Sequence, residues 1–131
     1  MKKIIINKSF GGFWPSKEAV KLYAAKKGKE CYFFEFSVTG KYTPLKGDTL
    51  YWVACSVPDP NEHLGEYTEI KCGEEQRADP DLVAVVEELG SKLASDEISN
   101  LKVVEIPDDV EYYVEEDRGM ECIHERHRTW K

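Results

Sequence analysis

Residues 79–90 read DPDLVAVVEELG, and this stretch decides the fold class. Asp79 is a good helix N-cap and Pro80 suits the first helical position. Leu82, Val83, Val86 and Leu89 then recur at helical spacing. The stretch therefore predicts an amphipathic helix that Gly90 ends or bends, with a helical tail through residue 93.

The N-terminal residues predict a strand, a glycine loop and a helix in succession. Residues 3–7 are mainly apolar and β-branched, which favours a buried strand that the glycine pair and Pro15 bring to an end. Ser16 is placed to cap a helix, and Gly28 follows two lysines at its expected end.

Aromatic and β-branched residues predict two further strands, at 31–38 and 49–55, which we expect to be antiparallel neighbours. The segment between them, 40–48, is too long for a tight hairpin turn and is expected to be a mobile loop. Residues 57–67 read as a second loop, and residues 67–71 as a short strand.

The C-terminal third predicts a strand at 101–106, a second at 112–116 and a turn at 117–119 leading into residues 120–126. A final helix over 121–130 is the competing interpretation. We expect one domain, 1–131, of the α+β class: a mainly antiparallel sheet of about five or six strands, with two principal helices packed on one face.

Composition indicates a globular chain, since 41% of its residues are hydrophobic and 33% are charged. We find no signal-peptide pattern and no apolar run near the roughly 20 residues of a membrane span, so we expect a cytoplasmic protein. The four cysteines contain no CxxC pair and are expected to be free thiols.

The net charge of −7 is distributed unevenly. Residues 1–46 carry +7, residues 47–117 carry −16 and residues 118–131 carry +2. Oppositely charged segments that fold against each other explain this pattern, and a basic face that receives an anion is the alternative.

Four segments carry a resemblance to a known family. They are INKSFGGFWPS (6–16), DPDLVAVVEELG (79–90), LKVVEIPDDVEY (101–112) and HERHRTW (124–130). Together they resemble a family of small, functionally unassigned proteins of tailed bacteriophages, whereas residues 40–76 match nothing in it. The resemblance implies a phage accessory protein, expressed in the bacterial cytoplasm, that counters host defence or redirects host enzymes.

The first candidate site is the loop between the first strand and helix. Its glycine amides and the following helix N-terminus could hold a phosphate, Lys8 could add charge, and aromatic rings could stack on a base. Arg126, His127 and Arg128 could close the pocket from the C-terminal side. The predicted ligand-binding residues are Lys8, Phe10, Gly11, Gly12, Phe13, Trp14, Ser16, Arg126, His127 and Arg128. A tight turn that packs its aromatics over the core is the simpler interpretation.

The second candidate is Cys122 with His124 and His127, which could supply metal ligands or a general acid and base. Cys122 and His124 share a face on a strand, but a zinc centre needs at least three donors, and His63, Cys55 and Cys72 lie in unrelated segments. We therefore predict neither a metal nor another cofactor. The acidic stretches could bind a cation, but a solvated surface explains them more simply.

We expect a phage accessory protein that captures a small anionic, nucleotide-derived ligand, such as a host immune signal. An acidic protein that inhibits a host defence enzyme by direct binding is the alternative, and a phosphoesterase using His124 or His127 comes last. Walker, GxSxG and HExxH motifs are absent from the sequence. We expect no membrane and no nucleic-acid partner, and we leave association into homo-oligomers open.

Overall fold

The computed structural model describes residues 1–37, 39–45, 52–63 and 68–126. Its strands are β1 (Lys2–Asn7), β2 (Tyr32–Phe36), β3 (Tyr42–Pro44), β4 (Val53–Cys55), β5 (Leu101–Ile106), β6 (Tyr112–Asp117) and β7 (Met120–Glu125). Its α-helices are α1 (Lys17–Lys26) and α2 (Pro80–Ala94), and short 3₁₀ helices cover Pro60–His63 and Glu74–Gln76. The predicted α+β class with antiparallel pairing is confirmed.

Within the described ranges the strands form three antiparallel sheets, whereas one sheet was expected. β1 pairs with β5, β2 lies between β3 and β4, and β6 pairs with β7. The predicted pairing of the two aromatic strands is confirmed by the β2–β4 register, in which Tyr32 faces Cys55. The segment expected to be a loop contains β3, and its residues 46–48 lie outside the described part of the chain.

Both predicted helices are present with the predicted caps. The Ser16 side chain accepts a hydrogen bond from the Ala19 amide, and the Asp79 side chain accepts one from the Asp81 amide. Gly90 has φ 79° and ψ 161°, which interrupts α2 with a kink as its sequence predicts.

The core lies between the two helices and the β1–β5 pair. Its buried members are Ile5, Ala19, Tyr23, Leu82, Val83, Val85, Val86, Ala94 and Leu101. All of them belong to β1, the two helices or the first residue of β5. These elements therefore form the core that supports the surface loops and the β6–β7 hairpin.

The C-terminal residues 120–125 form a strand, so the competing helix is wrong for them. Arg118 has φ 55° and Gly119 has φ 91°, the positive values that a two-residue type I′ turn requires. The turn fixes the register of the β6–β7 hairpin, in which Asp117 pairs with Met120. Neither helix within the described ranges is long and apolar enough to cross a bilayer.

Candidate functional site

The glycine loop packs tightly against the segment that precedes β5. A Cβ atom at Gly11 would lie 1.7 Å from the carbonyl oxygen of Ile98, so no larger residue fits there without backbone movement. The Ser9 hydroxyl donates to the same carbonyl at 2.9 Å and lies 3.5 Å from the Gly11 amide nitrogen. The first glycine is therefore required for packing, as a tight turn implies. Of the loop aromatics that were expected to cover the core, Phe13 packs against it, whereas Phe10 and Trp14 are exposed.

Gly12 faces the turn of the β6–β7 hairpin. A Cβ atom at Gly119 would lie 2.6 Å from the Gly12 nitrogen and 2.5 Å from the Phe10 carbonyl oxygen. Among the described residues, no acceptor bonds the Gly12 amide, but the Gly119 backbone lies directly against it. The Gly11 amide is thus used within the loop, whereas the Gly12 amide is hydrogen-bonded to no described residue.

A buried polar network joins this loop to the core. The Asn7 side chain is fully buried, donates to the carbonyls of Ser9 and Gly119, and accepts from the amides of Ser9 and Asn100. The backbone amide of Asn7 donates at 2.9 Å to the carboxylate of Glu121, whose side chain is only 3% exposed. This network holds the end of β1 against the hairpin turn.

Arg77 neutralises the buried Glu121 carboxylate. Its guanidinium makes a two-point contact, at 3.0 Å and 2.8 Å, and also donates to the carbonyls of Ile5 and Glu74. Two charges can be buried here because each is paired and hydrogen-bonded.

An open cleft lies beside the contact between the glycine loop and the hairpin turn. We call it the loop–hairpin cleft; it is lined by Phe10, Gly11, Gly12, Phe13, Trp14, Gly73, Glu74, Glu116, Arg118, Gly119 and Glu121. Oxygens of Glu74, Glu116 and Glu121 all lie within 4.8 Å of one another. Arg77 compensates Glu121 and approaches Glu74 at 3.8 Å, while the side chain of Arg118 is 82% exposed and lies 3.8 Å from Asp117.

Two large aromatic rings border the same cleft. Phe10 is 63% exposed and Trp14 is 55% exposed, although the Trp14 indole donates to the Gly11 carbonyl at 3.0 Å. Phe13 differs, because it is partly buried against the core. The Arg77 guanidinium lies over its ring, 5.1 Å from the ring centre. The cleft therefore combines free aromatic faces with carboxylates.

The other residues of the predicted anion pocket lie elsewhere. Lys8 lines a different groove, with Val104, Val110 and Tyr112 among its neighbours. The Ser16 hydroxyl is used inside the protein, accepting from Ala19 and donating to the Leu93 carbonyl. Neither side chain faces the loop–hairpin cleft.

Arg126 is at the far end of the hairpin from the glycine loop. Its amide donates to Glu111 at the base of the hairpin, whereas Gly119 forms the turn. Seven residues at about 3.3 Å each separate the two by roughly 20 Å. The described residues thus do not form the two-sided anion pocket, and the predicted contributions of His127 and Arg128 lie outside the described residues.

The second candidate site is partly assembled on the outer face of the hairpin. Cys122 and His124 share a strand face as predicted, with the Cys122 sulfur 3.1 Å from His124 Nε2. Glu115, on β6, lies 2.8 Å from the same nitrogen. Burial raises the pKa of the Cys72 thiol to about 12 and also raises the pKa of Cys31, which sets these two cysteines apart from an accessible metal-binding thiolate.

Five residues around the cleft were not predicted as a group: Asn7, Glu74, Arg77, Glu116 and Glu121. One signal was available: strand alternation puts Glu121 on the same face as Ile123, and a carboxylate on the inward face of a strand needs a partner. The identity of that partner depends on long-range packing, which local patterns do not encode.

Comparison with family models, with curated proteins and with solved structures gave no match to this chain.

Proposed function

We propose that the chain is an interaction protein whose loop–hairpin cleft binds a basic segment of a partner protein. The observation that supports this most directly is that the exposed carboxylates of Glu74 and Glu116 converge in a cleft bordered by Phe10 and Trp14. Exposed aromatic faces attract guanidinium and ammonium groups, and carboxylates pair with them.

The charge of the cleft favours a cationic guest. Arg77 is already engaged with Glu121, and Glu116 has no cationic partner among the described residues. An anion would have to approach these carboxylates with compensation from the Gly12 amide alone, since the Gly11 amide lies 3.5 Å from the Ser9 hydroxyl. A lysine or arginine side chain of the partner that enters near Phe10 and Trp14 instead lies beside carboxylates of opposite charge.

A host protein is the partner class that agrees with the resemblance to tailed-bacteriophage proteins. An acidic module inhibits such an enzyme when it covers a basic surface of that enzyme, and the net charge of −7 favours this encounter over long distances.

Binding of a fluorescein-labelled oligo-arginine peptide, followed by fluorescence anisotropy, tests the cleft. We expect Glu74→Gln combined with Glu116→Gln to weaken binding roughly tenfold, and higher salt to weaken it further. Phe10→Ala should also weaken binding, because it removes an aromatic face without changing the charge.

The matched control is Glu87→Gln combined with Glu88→Gln on the outer surface of α2, which changes the net charge equally. These side chains make exposed ion pairs with Lys3 and Lys26, so their loss should cost little stability. If the control weakens peptide binding as much as the cleft variant does, binding reflects net charge alone and the proposal is wrong.

Capture of a small nucleotide-derived anion is the second candidate function. Its support is the exposure of Phe10 and Trp14, on which a base could stack beside the Gly12 amide. Thermal shift against a panel of nucleotides and cyclic nucleotides tests it, since a ligand that binds only the folded state raises the melting temperature. The absence of any shift across the panel removes this candidate.

A further inference from the structure

Three donors of different chemistry converge on the outer face of the β6–β7 hairpin. His124 Nε2 lies 3.1 Å from the Cys122 sulfur and 2.8 Å from Glu115 Oε2. All three donor atoms lie within 4.8 Å of one another. Cys122 is exposed and the Glu115 side chain is 61% exposed, so solutes can reach the cluster.

The backbone of the hairpin creates this convergence. Cys122 and His124 are two residues apart on β7, so they point to the same side. Glu115 is directly opposite Cys122 in the register, and Tyr113 is directly opposite His124. The Arg118–Gly119 turn sets this register. The register places the three residues next to one another on one face, so their proximity does not depend on the rotamer of a single side chain.

We propose that Glu115, Cys122 and His124 form a zinc-binding site, with water in the fourth position. Thiolate, imidazole and carboxylate are the three ligand types that Zn²⁺ uses in proteins, and three protein ligands leave one position open. This inference is independent of the loop–hairpin cleft, which contains none of these three residues.

The distances agree with a site that closes on a single ion. Zinc bonds of about 2.0–2.3 Å in tetrahedral geometry separate neighbouring donor atoms by roughly 3.3–3.6 Å. The contacts of 3.1 Å and 2.8 Å need to open by only about half an ångström, which small side-chain rotations supply.

The orientation of His124 favours a metal over a nucleophilic triad. In a Cys-His-acid triad the acid holds the ring nitrogen opposite the nucleophile. Here Glu115 and Cys122 both contact Nε2, so the imidazole cannot connect them in series. The three donor atoms instead lie within 4.8 Å of one another, as the ligands of one metal ion must.

A neighbouring ring stabilises the histidine. Tyr113 stacks on His124 with ring centres 5.3 Å apart and an angle of 22° between the planes. Arg126 lies 5.8 Å from the centre of the Tyr113 ring. Packing that limits the rotation of a ligating imidazole reduces the entropy lost when the metal binds.

The ligand set selects zinc over the hard cations. Mg²⁺ and Ca²⁺ prefer oxygen donors alone, whereas this cluster offers sulfur, nitrogen and a single carboxylate. Two of the donors, Cys122 and His124, were predicted from the sequence to share a face of β7. The third, Glu115, lies on the neighbouring strand β6, and the strand register places it beside them.

Titration of the chelator-stripped, reduced full chain with Co²⁺ and then Zn²⁺ tests the site. We expect a cobalt–thiolate charge-transfer absorption that saturates at one equivalent and disappears when Zn²⁺ displaces Co²⁺. Cys122→Ser should abolish this absorption. His124→Gln and Glu115→Gln should each weaken zinc affinity at least about tenfold, measured by competition with a chromophoric chelator.

The matched controls are Glu125→Gln, on the opposite face of β7 from Cys122 and His124, and Cys31→Ser, which removes a thiol elsewhere. Both should bind both metals as the wild type does, and circular dichroism checks that every variant folds. The absence of a charge-transfer band in the wild type overturns the site. So does a band that survives Cys122→Ser, or zinc affinity that is unchanged by Glu115→Gln.

Discussion

Arg77 and Glu121 form a buried two-point ion pair that joins the segment before α2 to the last described strand, with contacts of 3.0 Å and 2.8 Å. Arg77 also donates to the Ile5 carbonyl, and Glu121 accepts from the Asn7 amide. The pair therefore holds three chain segments at one point beside the loop–hairpin cleft.

Replacing Glu121 by Gln should destabilise the protein by about 3 kcal/mol, because it leaves a mostly buried guanidinium without its counter-charge. Urea unfolding followed by circular dichroism measures the change in the free energy of unfolding. Glu116→Gln, on the exposed side of the same cleft, should stay within about 0.5 kcal/mol of the wild type. Equal stability of the two variants would show that the pair does not anchor the hairpin.

Gly11→Ala should destabilise the protein by roughly 1–3 kcal/mol, because the new Cβ overlaps the Ile98 carbonyl oxygen at 1.7 Å. Gly73→Ala is the control, since a Cβ there meets no atom within 4 Å and the φ of −127° suits any residue. Thermal and urea unfolding of both variants make the comparison. A Gly11→Ala variant as stable as Gly73→Ala would rule out the close approach of the loop to Ile98.

Protonation of Asp79 should make the free energy of unfolding depend on pH in the acid range. Burial alone would raise the pKa of this carboxyl, but hydrogen bonds from Tyr23, the Asp81 amide and Lys27 outweigh it and hold the pKa below its ordinary 3.8. The unfolded chain then takes up the proton more readily, so this contribution is complete above about pH 4 and is lost as pH falls through the folded-state pKa.

Asp79→Asn keeps a good N-cap but removes the charge. The wild type should be more stable than this variant at pH 7, and the difference should shrink as the acid range is entered, in urea unfolding at a series of pH values. Tyr23→Phe removes one of the hydrogen bonds and should give a smaller effect of the same sign. A difference that stays constant from pH 7 to the acid limit contradicts the assignment.

The cysteines should differ in their reactivity in the folded protein. Cys122 is exposed, Cys55 is fully buried, and burial raises the pKa of Cys72 to about 12. Because thiolate is the reactive form, a maleimide added in the presence of a chelator should modify Cys122 well before Cys55 and Cys72. Peptide mapping by mass spectrometry reads the order, which should be lost in urea. Modification of all three at one rate in the folded state would contradict the burial of Cys55 and Cys72.

Local patterns were sufficient for much of the fold. Ser16 and Asp79 cap helices, Gly90 bends α2, and the Arg118–Gly119 turn closes a hairpin, because caps and turns depend on neighbouring residues. The division into three sheets was not predictable, since it depends on pairings such as Asn7 with Leu101 that are far apart in sequence. β3 was missed because its three residues include Pro44, which is unusual within a strand.

The candidate sites were likewise predictable only where local patterns determine them. Alternation alone put Cys122 and His124 on one face, but adding Glu115 needed the register, and a slip of one residue would have turned it to the other side. The anion pocket combined Arg126 with the glycine loop from their charge and composition. Hairpin geometry places Arg126 at the opposite end from the loop, and such separations are invisible in a linear sequence.

The antiparallel alignment of Lys2–Asn7 with Leu101–Ile106 has a consequence for the order of events during translation. The Lys2–Asn7 segment leaves the ribosome long before Leu101–Ile106, and it waits unpaired until this partner strand has been made. Contacts so distant in sequence slow folding, and unpaired β-branched segments promote association between nascent chains. The two lysines at its start give this waiting segment a charge that discourages such association.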